Sequence, residues 1–173
     1  MSIENPQQVD LFDDLVDSFD VDQELALQFF LVFAWLENLL KYMEYWEYRG
    51  YVKIKWMNFG REMDEYFDPN RTQELKTAYQ FLIDEAPRRE EPDGDDIVWN
   101  GIEERENATD LEKVLYLVNT VRNNLFHGGK FPRFRERDAK LLKACLVILK
   151  ECIELHPELK EYYRVQVEGN FDQ

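Results

Sequence analysis

The stretch Thr109-Asp110-Leu111-Glu112-Lys113-Val114-Leu115-Tyr116-Leu117-Val118-Asn119-Thr120-Val121-Arg122-Asn123-Asn124-Leu125-Phe126-His127-Gly128-Gly129-Lys130 contains a helix, its start and its stop in one run. Leu111, Val114, Val118, Val121 and Leu125 recur at alternating steps of three and four, which lays one apolar stripe along a helix. Thr109 and Glu112 have the spacing of a capping box, in which each side chain satisfies the other residue's backbone N–H. Gly128-Gly129 suits the left-handed residue that closes a helix, so His127 is expected in the last turn. There the exposed carbonyls favour a cationic imidazole and the nearby Arg122 disfavours one, so the two influences oppose each other.

Arg122 lies beside the apolar stripe, between Val118 and Leu125 of adjacent turns, and is expected to point toward a packed surface. A guanidinium can hold a phosphate and stabilise charge developing on it, while an imidazole can take or give a proton near neutral pH. Together they are the minimum kit for cutting a ribose phosphate chain. Arg122 and His127 are five positions apart, which on a regular helix is a rotation of about 140° and a rise of roughly 7.5 Å. One regular helix therefore converges them poorly on one phosphate. Either the helix unwinds at the glycines, or two copies meet across a two-fold axis and build a composite site.

The run Arg122-Asn123-Asn124-Leu125-Phe126-His127 resembles the signature of HEPN domains (higher eukaryotes and prokaryotes nucleotide-binding), in which an Arg, a polar residue, a few intervening positions and a His end a helix. The glycine pair and Lys130 extend the likeness. Upstream, Phe33 to Lys41 and Trp56 to Gly60 are similar to segments that precede the motif in one branch of the family. Downstream, Arg137-Asp138 followed by Leu141-Leu142 also fits, so the resemblance spans residues 22–156. It implies an all-α fold, a homodimer and metal-independent RNA cleavage, often as a toxin or defence effector. It also implies catalytic roles for Arg122 and His127, with Asn123 at the polar position orienting the His or holding a phosphate oxygen. Asn124 is a weaker phosphate contact. Members silenced by an adjacent nucleotidyltransferase often carry a Tyr two positions after the His. Here that position is Gly129, which argues against regulation of that kind.

The net charge of −15 argues against broad attraction to nucleic acid, yet its distribution is uneven. Residues 122–143 hold seven basic side chains against two acidic ones, a net of +5 against −20 for the remainder. Charges beyond about 8 Å are largely screened at physiological salt, so Lys130, Arg133, Arg135 and Arg137 can hold an RNA backbone that the whole protein would repel. The competing reading is a solvated helix start whose arginines pair with acidic neighbours.

At 173 residues, with 45% apolar and 14% aromatic content, the chain can bury a core of its own as one domain over 1–173. No charge-free run of some 18 apolar residues appears, and no basic segment leads into an apolar one at the N-terminus. Neither a membrane span nor a secretion signal is expected, and the expected compartment is cytoplasmic. Cys145 and Cys152 sit about 10 Å apart along one helical face, too far for a mutual disulfide, and read as reduced core residues. Cys152 and His156 share a face, but no second pair completes four ligands, so no metal or other cofactor is expected.

Working outward, Asn5-Pro6 starts an N-terminal helix in residues 1–21, with Val9, Phe12, Leu15, Val16 and Phe19 on one side and a solvated acidic face on the other. A bundle follows over 22–156. Asp20 with Gln23 reads as a capping box for a helix over Glu24 to Arg49, stopped by Gly50. That helix is apolar nearly all round and is expected to pack on the motif helix and on a second subunit. Tyr42, Tyr45, Trp46 and Tyr48 on it could supply stacking surfaces for bases, and core or interface packing is the more common fate of such residues. Tyr51 to Lys55 reads as a connector, with Lys53 and Lys55 exposed. Trp56 to Phe67 forms a third helix, and a fourth is capped by Asn70 with Gln73 as its partner. Arg88 to Asp96 reads as a mobile acidic loop, pinned at its far end by Ile97, Val98, Trp99 and Ile102. A last long helix covers Arg137 to Leu155, ended by His156-Pro157. Residues 157–173 form a C-terminal extension with a turn of helix.

The expected architecture is an antiparallel helical bundle of about six helices. The expected function is a metal-independent RNA endonuclease, homodimeric and possessing an antitoxin or regulatory partner. The alternative is a non-catalytic helical dimer that acts as a binding scaffold or nucleotide-binding module.

Overall fold

The computed structural model describes residues 22–102, 105–126 and 136–168. The expected N-terminal helix, His127, Lys130, Arg133 and Arg135, and the last five residues lie outside that range. Among the described residues there are six α-helices and two short antiparallel hairpins.

Helix α1 (Gln23–Tyr42) starts at Asp22, whose carboxylate accepts the Leu25 N–H at 3.0 Å, in place of the capping box expected at Asp20. It ends seven residues before the expected stop at Arg49. The Tyr45 N–H returns to the Leu40 carbonyl at 2.8 Å and the Glu44 N–H to that of Lys41 at 3.1 Å. This closure needs a left-handed residue, and Glu44 supplies it at φ 63°. The aromatic run beyond becomes a hairpin, β1 (Trp46–Tyr48) against β2 (Val52–Ile54), with Gly50 at φ 77° in its turn. Trp46 faces Ile54 and Glu47 faces Lys53 across it. The expected connector is thus a strand, on which Lys53 is exposed, while Lys55 beyond it is only half-exposed.

Helix α2 (Trp56–Met63) runs into a 3₁₀ turn over Asp64–Tyr66. Helix α3 (Gln73–Asp84) is capped by Thr72, whose hydroxyl accepts the Leu75 N–H at 3.1 Å; Asn70 does not cap it. The expected acidic loop is a second hairpin, β3 (Arg89–Asp93) and β4 (Asp96–Asn100), with Gly94 at φ 63° in a two-residue turn. The strand-forming Ile97, Val98 and Trp99 pair with the charged segment and order it. Ile97 points to solvent at 71% exposure, while Ile102 packs against the core and Val98 and Trp99 are half-buried.

Helices α4 (Asp110–Phe126), α5 (Glu136–Glu154) and α6 (Pro157–Glu168) complete the chain. The axis of the core is α5, which lies against α1, α3, α4 and α6. Leu141, Leu142, Cys145, Ile148, Leu149 and Cys152 are all buried along it. Helix α1 lies chiefly on α5 and reaches the motif helix at Phe33, which sits beside Arg122, while α2 packs on α4. Gly60 makes that last contact possible, because a Cβ there would stand 3.0 Å from the Glu112 Cα. The C-terminal extension is a helix of twelve residues and not a single turn. Leu159 is fully buried, Tyr162 stacks 4.4 Å from Tyr42, and Tyr163 meets Trp35 edge-on at 5.1 Å.

By length and composition α1 could cross a membrane. Here it buries Leu25, Phe29, Phe33, Leu36, Leu39 and Leu40 in the common core.

Candidate functional site

The start of α4 carries both bonds of the expected capping box. The Thr109 N–H donates to the Glu112 carboxylate at 3.0 Å, and the Glu112 N–H to the Thr109 hydroxyl at 3.3 Å. Arg61 of α2 adds an ion pair to Glu112 at 2.8 Å, and Asp64 accepts the Leu111 N–H at 2.9 Å. Burial pushes the Glu112 carboxyl up, but the Thr109 N–H and the Arg61 guanidinium outweigh it and hold the group below the usual carboxylate range. The motif helix is therefore fixed at its entrance by charge and hydrogen bonds. Along its length it is fixed by the stripe: Leu111, Val114, Val118 and Val121 are buried, and Leu125 packs against the core.

At the far end Arg122 is half-buried, as its place beside the stripe requires. Its guanidinium lies 5.7 Å from the centroid of the Phe33 ring, and Phe33 in turn packs on Trp56 at 5.0 Å. A cation over an aromatic face is attracted by the negative face of the ring. Its Nη1 donates to the Asn123 Oδ1 at 3.2 Å. Arg122 and Asn123 are thus brought together in the last turns of α4, and Asn123 is exposed.

Two other residues expected to touch RNA have work elsewhere. Asn124 is buried, and its amide donates to the Arg88 carbonyl at 2.7 Å. Arg137, in the first turn of α5, donates from Nη2 to the Glu85 and Ala86 carbonyls, each at 2.8 Å. A buried amide is not presented to a phosphate, and a guanidinium spent on two carbonyls has fewer donors left for one. Both side chains clip the end of α4 and the start of α5 to the same connection over residues 85–88. Asp138, next to Arg137 in the downstream part of the likeness, is also buried and shares with Asn124 a void of about 10 Å³. That is about the room one water occupies.

No family model, curated protein or solved structure matched this chain.

Among the described residues no group of three or more His, Cys, Asp or Glu side chains is placed to hold a metal ion. Cys145 and Cys152 are buried free thiols, both pushed well above the usual thiol range by that burial. His156 accepts the Glu158 N–H on Nδ1 at 3.3 Å and meets Tyr66 edge-on at 5.6 Å, which makes it part of the turn into α6.

Sequence reasoning missed Phe33 as the platform under Arg122 and residues 85–88 as the clip. Phe33 sits in a helix apolar nearly all round, where no periodicity marks one ring from the next. The clip accepts through backbone carbonyls, which every residue possesses.

Proposed function

We propose that the protein is a metal-independent RNA endonuclease of HEPN type, acting as a homodimer in a toxin or defence role. The observation that carries this reading is the seating of Arg122: its guanidinium is held against Phe33 and donates to Asn123, in the last turns of the helix whose sequence runs on into His127. In the proposed reaction His127 removes the proton of a ribose 2′-hydroxyl or delivers one to the departing 5′-oxygen. The 2′-oxygen bonds to phosphorus, the bond from phosphorus to the 5′-oxygen breaks, and Arg122 stabilises the charge that builds up between those steps. The 2′-hydroxyl as internal nucleophile confines the chemistry to RNA. Asn123 orients the imidazole or holds a phosphate oxygen, while Lys130, Arg133 and Arg135 supply backbone contacts. Two copies would unite one subunit's guanidinium with the other's imidazole, and exposed Leu27 and Leu31 on α1 offer apolar surface for such pairing.

The test is incubation of the purified protein with RNA in EDTA. Cleavage is expected, with a loss of about 10²- to 10⁴-fold in His127→Ala and a comparable loss in Arg122→Ala. Intact RNA, or cleavage unchanged by both substitutions, refutes the reading.

A further inference from the structure

Glu151 stands near the C-terminal end of α5, about 21 Å along the helix from Arg137 at its start. Its side chain is only 6% exposed. One carboxylate oxygen, Oε2, accepts from Nη2 of Arg71, in the connection that leads into α3. The other, Oε1, is buried, and among the described residues no donor reaches it. A buried carboxylate is stable when its charge is paired and its lone pairs are met, and here half of that is missing. The Arg71 side chain is 48% exposed, so water competes with Glu151 for the guanidinium.

The other charges nearby do not favour an ionised Glu151. Asp68, three positions before Arg71, and Glu154, one turn further along α5, are both negative, and Glu154 is itself tied to Lys160 of α6. The neighbouring Cys152 thiol is buried and pushed well up, so it stays neutral. Burial is the largest influence on the Glu151 carboxyl and raises it; Arg71 pulls it down, Glu154 and Asp68 push it up, and the balance stands above the usual carboxylate range.

Arg71 is the partner that can move. The connection that carries it is held by other means: Phe67 is buried, the Asp68 carboxylate accepts the Asn70 N–H at 2.9 Å, and Thr72 caps α3. Losing the ion pair therefore releases a side chain and leaves the backbone in place.

We propose that Arg71 and Glu151 form a proton-operated latch between α5 and the connection into α3. At neutral pH the ionised carboxylate holds Arg71 against α5. In mild acid a proton from solvent settles on Oε1, the ion pair is reduced to a hydrogen bond with a neutral acceptor, and Arg71 turns out into water.

Full-length protein labelled with carbon-13 at its glutamate carboxyls and nitrogen-15 at its arginines is followed by NMR from about pH 3 to about pH 8. Glu151→Gln assigns the Glu151 signal by its loss. The Glu151 carboxyl is expected to titrate above the usual glutamate value of about 4.3, and the Arg71 side-chain N–H to move with the same midpoint. Asp68→Asn keeps an acceptor for the Asn70 N–H and should lower that midpoint, while Arg71→Gln should raise it. A folded-state value raised above the unfolded one gives stability that is full below the unfolded value and lost as pH rises through the folded one. Glu151→Gln cannot ionise, so its urea midpoint should gain on that of the parent across this window. The latch is overturned if Glu151 titrates at or below the usual value, if the Arg71 N–H does not follow it, or if the Arg71 transition survives in Glu151→Gln. Should Glu151→Gln fail to fold, a Glu151 midpoint unmoved by Arg71→Gln overturns it as well. The readout is titration, so a failure of RNA cleavage leaves the latch untouched.

Discussion

Asn123 and Asn124 are neighbours in the sequence, but one helical step turns them about 100° apart, and that rotation separates their roles. Asn124 faces the core and spends its amide on the Arg88 carbonyl, whereas Asn123 faces outward and holds Arg122. Replacing Asn124 by Ala leaves a carbonyl without its partner, and a loss of about 1–3 kcal/mol in unfolding free energy is expected by urea denaturation. Asn123→Ala should stay within about 0.5 kcal/mol of the parent in the same experiment and lower RNA cleavage instead. Equal stability losses in the two variants would contradict the division. Position in the motif is not enough to assign a role, because the motif runs through a helix with a buried and an open side.

At the scale of elements, two backbone positions decide where helices stop and how closely they approach. Glu44 closes α1 in the left-handed region, which costs an L-residue roughly 1–2 kcal/mol and costs glycine almost nothing. Glycine gives back part of that through its greater freedom in the unfolded chain, so Glu44→Gly should stabilise by about 1 kcal/mol. The check is a raised denaturation midpoint at unchanged slope. Gly60 presents the opposite balance. Alanine is favoured over glycine inside a helix by about 1 kcal/mol, yet a Cβ here meets the Glu112 backbone at 3.0 and 3.1 Å. Backbone at a capped helix start cannot swing aside as a long side chain can, so overpacking of about 1–3 kcal/mol should win and Gly60→Ala should lower the melting temperature. Glu44 also shows where periodicity misleads. The aromatic run after Tyr42 reads as more helix unless Glu44 is known to reverse the chain. The acidic run after Arg88 reads as a loop unless its pairing with Ile97 to Trp99 is seen.

At the scale of the whole molecule, the proposed site depends on how two copies meet. If each scissile linkage lies between the Arg122 of one subunit and the His127 of its partner, Arg122→Ala and His127→Ala are each inactive alone. Mixed under conditions that exchange subunits, they should regain measurable cleavage, because the mixed dimer holds one intact pair. Absence of recovery despite proven exchange would place both groups of a site in a single chain. Recovered cleavage should also weaken with added salt, since the basic side chains around the motif hold the RNA backbone through phosphate contacts that release counterions.

Much was legible from local pattern. The stripe from Leu111 to Leu125, the Thr109–Glu112 box, the buried face of α5 and the sheltered place of Arg122 follow from spacings of three and four, because a helix converts such spacing directly into one side of a cylinder. Contacts between elements were not legible in that way. That Phe33 underlies Arg122 and that residues 85–88 clip α4 to α5 depend on how cylinders are set against each other. Those settings are chosen by the sum of many weak packing contacts spread over distant parts of the chain.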